Sequence, residues 1–178
     1  MKRSLFALVL LVGSATLFGG SAVASDADLA RETRDRNEMQ GLMWRYVRAL
    51  DSFDADGYAA VYTPDGQFGS GERAVKGRDA LKKMVSDLKK ARAEREAKGE
   101  PQTPMHHIIT NPHVEFIDKD HARYYAYWMT VFGSPARQGE SQGQPAPPRV
   151  AAAGRSIDEL VRVDGKWLIK SRDVAPKD

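Results

Sequence analysis

The chain has 178 residues, with 27 Lys or Arg against 24 Asp or Glu, a formal net charge of +3 and no cysteine. The lack of cysteine excludes disulfides and thiolate metal sites, so stability must come from an ordinary apolar core. The length suits one domain. The small net charge, with no Lys/Arg run carrying interleaved aromatics, gives no footprint for a nucleic-acid partner.

Met1-Lys2-Arg3 opens the chain, residues 4–18 are largely apolar, and Ala22-Val23-Ala24 is an A-x-A cleavage pattern. This is the make-up of a secretory signal peptide over residues 1–24. The apolar run is short and broken by glycine, which argues against a membrane span. The expectation is a periplasmic or secreted protein, not membrane-bound after cleavage, with one domain over residues 25–178. Without Lys2 and Arg3 the balance is 25 basic against 24 acidic side chains, or +1.

Residues 26–50 predict a long helix. Met39, Leu42, Met43, Tyr46, Val47 and Leu50 recur three and four apart and give one apolar stripe. Asp51 follows at the helix end, where the macrodipole disfavours a carboxylate; it is either a polar turn residue or a carboxylate held there for function. Asp54 can cap a short helix over 55–62. Thr63-Pro64-Asp65-Gly66 reads as a turn, and 67–75 as a short irregular strand. A third helix is predicted over 77–97, with Leu81, Met84, Val85 and Leu88 as its buried stripe. Past Ala91 it is nearly all charge and alanine, so its last turns should project into solvent.

Residues 104–132 predict a long hairpin turning at Lys119-Asp120. In that register Ile117 faces Ala122, Ile109 faces Thr130 and His107 faces Phe132. Strand alternation puts His107, Ile109, Asn111, Trp128, Thr130 and Phe132 on one side. Ile108, Val114, Phe116, Tyr125, Tyr127, Met129 and Val131 fall on the other. Both sides carry large apolar groups, so both should be covered. The first joins a titratable ring to polar and apolar neighbours, as a ligand cavity does. Residues 134–153, rich in Pro, Gly, Gln and Ala, predict a long loop, a candidate flap at a cavity mouth. Two final strands, 154–163 and 166–174, join at Asp164-Gly165. Trp167 and Ile169 share one face there, with Arg172 and Leu168 on the opposite one. Helices followed by a strand meander argue for an α+β domain with helices packed on one side of the sheet.

Several short stretches carry a further indication. They are Arg45-Tyr46-Val47 leading to Asp51 and Asp56-Gly57, then Tyr62-Thr63-Pro64-Asp65-Gly66, then His107-Ile108-Ile109-Thr110-Asn111, and finally Leu160 to Trp167 with Arg172. In this order, over about residues 31–174, they resemble the SnoaL-like domains of the nuclear transport factor 2-like superfamily. The resemblance implies a cone-shaped, curved antiparallel sheet wrapped by three helices, with a pocket between helix and sheet. It also implies a homodimer through the outer sheet face, which would cover the hairpin's second apolar side. The fold hosts many chemistries. Tyr46 falls where the family's ketosteroid isomerases keep an oxyanion-binding tyrosine. Their carboxylate base would fall near Ser70 and their second acid near Gly154 or Arg155, and neither carboxylate is present, which argues against isomerase chemistry. Tyr46, Asp51 and His107 fit the tyrosine, acid and histidine of dehydratases of the scytalone and bile-acid type. A further His or Asp that assists the histidine would fall near Thr130 or Phe132 and is absent. Other relatives are small lyases that cleave side chains of plant-derived aromatics, and Arg172 falls near a pocket arginine of some members.

The implied site has His107 as general base and acid. Tyr46 donates a hydrogen bond to a developing oxyanion, and Asp51 holds His107 or a water. Arg172 binds an anionic or phenolic oxygen. Trp128, Phe132 and Met43 form apolar walls, beside Asn111 and Thr130. No cofactor or metal is expected, since the histidines show no ligand spacing on one helix. Tyr46 could instead be a core tyrosine and Arg172 an ion-pair partner at the sheet end. Of the adjacent His106 and His107 only one can face the pocket. Apolar neighbours favour His106, the family register favours His107, and a bulge would reverse the choice. The expectation is an exported lyase, a dehydratase or related elimination enzyme, acting on a small hydrophobic aromatic or alicyclic molecule. The alternative is a non-catalytic small-ligand-binding or dimeric accessory domain.

Overall fold

Ser25 starts the first helix, its side chain accepting the Asp28 backbone N–H at 3.2 Å. The computed structural model describes residues 25–100, 103–133 and 147–177. The expected signal peptide and most of the expected 134–153 loop lie outside the described residues. Helix α1 spans Asp26–Asp51 and buries Met39, Leu42, Met43, Tyr46, Val47 and Leu50, the stripe its periodicity predicts. Helix α2 (Ala55–Ala60) is capped by Asp54, whose Oδ1 accepts the Gly57 N–H at 2.9 Å, and it stops short of Tyr62. Helix α3 (Arg78–Ala97) buries Leu81 and Val85. Leu88 is 44% exposed and does not join that stripe.

Six strands follow these helices or lie between them: β1 (Tyr62–Phe68), β2 (Val75–Lys76), β3 (Met105–Phe116), β4 (His121–Phe132), β5 (Arg149–Val163) and β6 (Lys166–Asp173). They form one mostly antiparallel curved open sheet in the order β2-β1-β6-β5-β4-β3, with β1 and β6 parallel. The fold is therefore α+β with helices on one face. Residues 149–153, expected in the loop, belong to β5. Thr63–Gly66 is not a free turn. It is an irregular stretch inside β1, where the register jumps between Tyr62 opposite Ile169 and Gln67 opposite Ser171.

Helix α1 is registered on the sheet by polar contacts as well as by packing. Asp35, 4% exposed, pairs with Arg162 of β5 at 2.6 Å, and that guanidinium lies 4.6 Å from the centre of the Trp167 ring. Glu38 accepts the Trp167 backbone N–H at 2.9 Å, and Arg36 donates to the Val114 carbonyl at 3.0 Å. Beneath them Trp167, Ile169, Leu160, Tyr124 and Ala122 fill the core from the sheet side.

The hairpin register differs from the expected one in two places. Asp118 Oδ1 accepts the backbone N–H groups of Asp120 and His121, at 2.7 and 2.9 Å. That side-chain turn sets Phe116, not Ile117, opposite Ala122. A second shift lies between Thr110 and His113. Asn111 has φ +52° and Pro112 has no N–H to give to the ladder, so the pair bulges out. His107 therefore sits opposite Thr130, not Phe132, and Ile109 opposite Trp128, not Thr130. Beyond the bulge the faces exchange. Val114, 8% exposed, and Phe116, 6.5 Å from the Trp167 ring, turn into the core, against the expected outer side. A left-handed φ costs a β-branched residue about 1–2 kcal/mol and glycine almost nothing. Asn111→Val is thus expected to lower urea-unfolding stability by about that amount and Asn111→Gly to change it little; equal stability of the two variants would refute this bulge position.

Candidate functional site

The concave side of the sheet and helix α1 enclose a cavity of about 220 Å³. Tyr46 and Leu50 of α1, Phe68 of β1, and His107 and Ile109 of β3 line it. Trp128 and Thr130 of β4, Ala152 of β5, Arg172 and Val174 complete the wall. Five of the nine expected site residues, Tyr46, His107, Trp128, Thr130 and Arg172, are thus brought together. Asp51 touches the site through His107.

Asp51 Oδ1 lies 2.7 Å from His107 Nδ1, and the His107 backbone N–H also meets this carboxylate, at 3.0 and 3.2 Å from its two oxygens. These donors account for a carboxylate at the unfavourable C-terminal end of α1. With Asp51 ionised, Nδ1 carries the proton and donates it to Asp51. Nε2 is then the basic nitrogen of the neutral ring. His106 is exposed on the other face, so the alternation resolves to His107.

Three expected residues lie elsewhere. Asn111 is exposed at the bulge, and with Met43 and the His107 edge it lines a separate groove of about 490 Å³ between α1 and β3. Met43 is 3% exposed, and its Sδ accepts from Arg172 Nη1 at 3.6 Å, which makes it a packing partner of the arginine and not a cavity wall. Phe132 pairs with Met105 at the strand end, 5.3 Å under the Arg149 guanidinium, because the register is two residues away from the expected one. A larger concavity of about 670 Å³ lies around Arg45, Arg48 and Lys166 and holds no expected site residue.

Arg172 reaches the cavity through an irregularity. In β6, Ile169 pairs with Leu160 and Ser171 with Glu159, so Lys170 is an extra residue. That insertion turns Arg172 onto the face of Trp167 and Ile169, not the opposite one expected. It is 2% exposed, and its guanidinium carbon stands 4.4 Å from the centre of the Tyr46 ring. Nη1 is paired directly with Asp158 of β5, which is fully buried. Burial pushes the Asp158 carboxyl up to about 7, with Arg172 opposing that rise. Burial acts to lower the Arg172 value, but Asp158 and the rings of Tyr46 and Tyr62 outweigh it and hold the guanidinium charged.

Behind Tyr46 stand Tyr58 and Tyr62, with ring centres 5.3 and 6.4 Å from it. Their hydroxyls share a hydrogen bond of 3.1 Å. Burial first, then the neighbouring Tyr46, raises both well above the ordinary phenol value, with the Tyr58 hydrogen bond and Arg172 opposing the rise at Tyr62, so they remain hydroxyls. Asp158, Tyr58 and Tyr62 were not among the expected site residues. Asp158 carried a signal: Ser156, Asp158 and Leu160 alternate along one face, so a core-facing Leu160 implies a core-facing carboxylate. No such pattern marks the tyrosines, which meet only when α2 and β1 fold against α1. Among the described residues no group of three His, Asp or Glu side chains could hold a metal ion.

Breaking a buried ion pair from one side strands the other charge. Asp158→Ala is expected to cost about 3–5 kcal/mol in urea unfolding. The double change Asp158→Leu with Arg172→Met should cost clearly less than that single one. The same carboxyl sets a pH dependence. Its folded value of about 7 lies above the ordinary 3.8, so its stabilising contribution is complete below the ordinary value and is lost as pH rises through about 7. Asp158→Asn should remove that part of the stability-against-pH slope.

The described fold has many solved counterparts. A protein of Novosphingobium aromaticivorans, described as NTF2-like with a cystatin-like fold, superposes with a TM-score of 0.62 at 20% identity, over 89% of this chain and 93% of that one. A candidate scytalone dehydratase from the same species gives 0.59 at 20% identity, over 82% and 85%. ActVI-ORFA of Streptomyces coelicolor gives 0.63 at 21% identity, over 80% and 95%. At these identities the likeness shows the fold. No curated protein matches the chain in sequence. The family model for the SnoaL-like domain matches residues 31–173, from α1 to the end of β6. The chain therefore belongs to the SnoaL-like domain family of the nuclear transport factor 2-like superfamily.

Proposed function

We propose that the cavity is the active site of an exported, cofactor-independent lyase that removes water, or a related leaving group, from a small aromatic or alicyclic substrate. The observation that carries this reading is the Asp51–His107 contact at a cavity that Tyr46 also lines. The family includes polyketide cyclases and dehydratases. In the proposed reaction His107 Nε2 takes a proton from the carbon next to a ring carbonyl, and the electron pair moves onto the carbonyl oxygen. Tyr46 donates a hydrogen bond to that oxygen as its charge grows. Asp51 stabilises the imidazolium. The enolate then re-forms its carbonyl, a C=C bond forms, and the β-hydroxyl departs as water with the proton returned by His107. Thr130, opposite His107, is a hydroxyl that does not ionise near neutral pH and so is no second general acid or base, which leaves one histidine to carry the proton both ways.

The test is turnover of a panel of cyclic β-hydroxy ketones. His107→Ala is expected to lower kcat/KM by about 10²–10⁴-fold, and Tyr46→Phe, which keeps the ring under Arg172, by about 10²–10³-fold. Asp51→Asn, which no longer holds the Nδ1–H tautomer of His107, should also lower kcat/KM. Turnover that ignores both His107→Ala and Tyr46→Phe would sink the mechanism. The second reading, a non-catalytic ligand-binding domain, is favoured by the lack of a second His or Asp at Thr130 and Phe132, and predicts binding without turnover.

The reading also includes a homodimer through the outer sheet face, where Ile108, Tyr127 and Val150 are 41%, 55% and 57% exposed. Light scattering should give twice the chain mass for the wild type and a single chain mass for Tyr127→Lys.

A further inference from the structure

We infer that the cavity admits uncharged ring compounds and turns carboxylates away, and that Asp158 sets this preference by cancelling the charge of Arg172. The inference rests on reading the cavity as the substrate site, and it names the class of molecule that site takes.

Arg172 is the only permanently charged side chain in the described cavity wall. An arginine in an apolar pocket is ordinarily the receptor for a carboxylate or phosphate. Here its partners are internal. Asp158, buried beneath it, takes Nη1, the Met43 sulfur lies 3.6 Å from the same nitrogen, and the Tyr46 ring stands 4.4 Å from the guanidinium carbon. His107, the other group that can become cationic, has Asp51 at 2.7 Å. Each source of positive charge therefore has its own carboxylate inside the protein.

A carboxylate entering the cavity would give up its hydration among Leu50, Phe68, Ile109 and Trp128. It would find no unmatched cation there, and it would approach two internal carboxylates, Asp51 and Asp158. A carbonyl or hydroxyl gives up far less hydration and can be hydrogen-bonded by the hydroxyl of Tyr46 or Thr130. Gly154 and Trp128 make the fit narrow. A Cβ at Gly154 would meet the Trp128 ring at 2.8 Å, while that indole donates to the Arg155 and Val174 carbonyls at 3.1 and 3.0 Å. The ring wall is thus fixed, and the charge balance beside it decides what enters.

Benzamide and benzoate test this, being of near-equal shape and differing in charge. Each is titrated into the wild-type protein at pH 8, above the value of about 7 at which Asp158 gives up its proton. The readout is the indole N–H resonance of Trp128, assigned with Trp128→Phe. Benzamide is expected to bind at least about tenfold more tightly than benzoate. In Asp158→Asn, which frees the charge of Arg172, the ratio is expected to shift by at least about tenfold towards benzoate. Benzoate binding the wild type as tightly as benzamide would overturn the inference. So would a Trp128 resonance that benzamide does not move up to its solubility limit. If Asp158→Asn does not fold, the wild-type comparison decides alone. Failure to find lyase turnover would leave the binding preference standing, whereas a turned-over carboxylate substrate would overturn the preference and keep the lyase.

Discussion

An arginine is held at the centre of the concave face. Arg172 would point to the outer side of the sheet if β6 were regular, and the extra residue Lys170 turns it inward. Burying a guanidinium without a counter-charge would cost several kcal/mol. Asp158 on the neighbouring strand removes most of that cost, at the expense of a carboxylate that burial pushes up to about 7. Arg172 then packs against the Tyr46 ring and Met43, so the position of α1 over the sheet and the charge of the cavity depend on the same pair. Lys170 meets Asp65 of β1, which ties the inserted residue to the irregular stretch of the adjacent strand.

The histidine is placed by a comparable device at the other side of the cavity. The C-terminal end of α1 is a poor place for a carboxylate, and Asp51 is held there by the His107 backbone N–H and ring together. The strand thereby fixes the helix end, and the helix end fixes which imidazole nitrogen carries the proton. Both pairs, Asp51–His107 and Asp158–Arg172, place an acid behind a base with the base lining the cavity. Tyr46 lies between them on α1, backed by two tyrosines that stay protonated. A polar site in an apolar cavity is thus built from groups whose charges are balanced inside the protein.

Much of this was legible in the chain. The stripe of α1, the cap of α2, the strand meander and the Asp164-Gly165 hairpin all follow from local periodicity and turn chemistry, which neighbouring residues in sequence decide. The family resemblance placed Tyr46, Asp51 and His107; in the structure Tyr46 and His107 line one cavity, and Asp51 meets it only through His107. The hairpin faces near the cavity were also assigned correctly, although the register was not. Two one-residue shifts, at the Asp118 turn and the Asn111 bulge, add up to an even number and restore the parity that each alone would reverse.

Where a bulge is not compensated, local reading fails. Val114 and Phe116 turn inward beyond Asn111, Arg172 turns inward beyond Lys170, and Asn111 itself falls outside the cavity. Whether a strand takes an extra residue depends on hydrogen bonds to a partner strand and on side chains distant in sequence, such as Asp65 for Lys170. The sequence by itself determined the elements, the family and the residue types available for proton transfer. Only the tertiary structure decided that Arg172 faces Asp158, because that contact joins two strands whose registers are set by their neighbours and not by their own alternation.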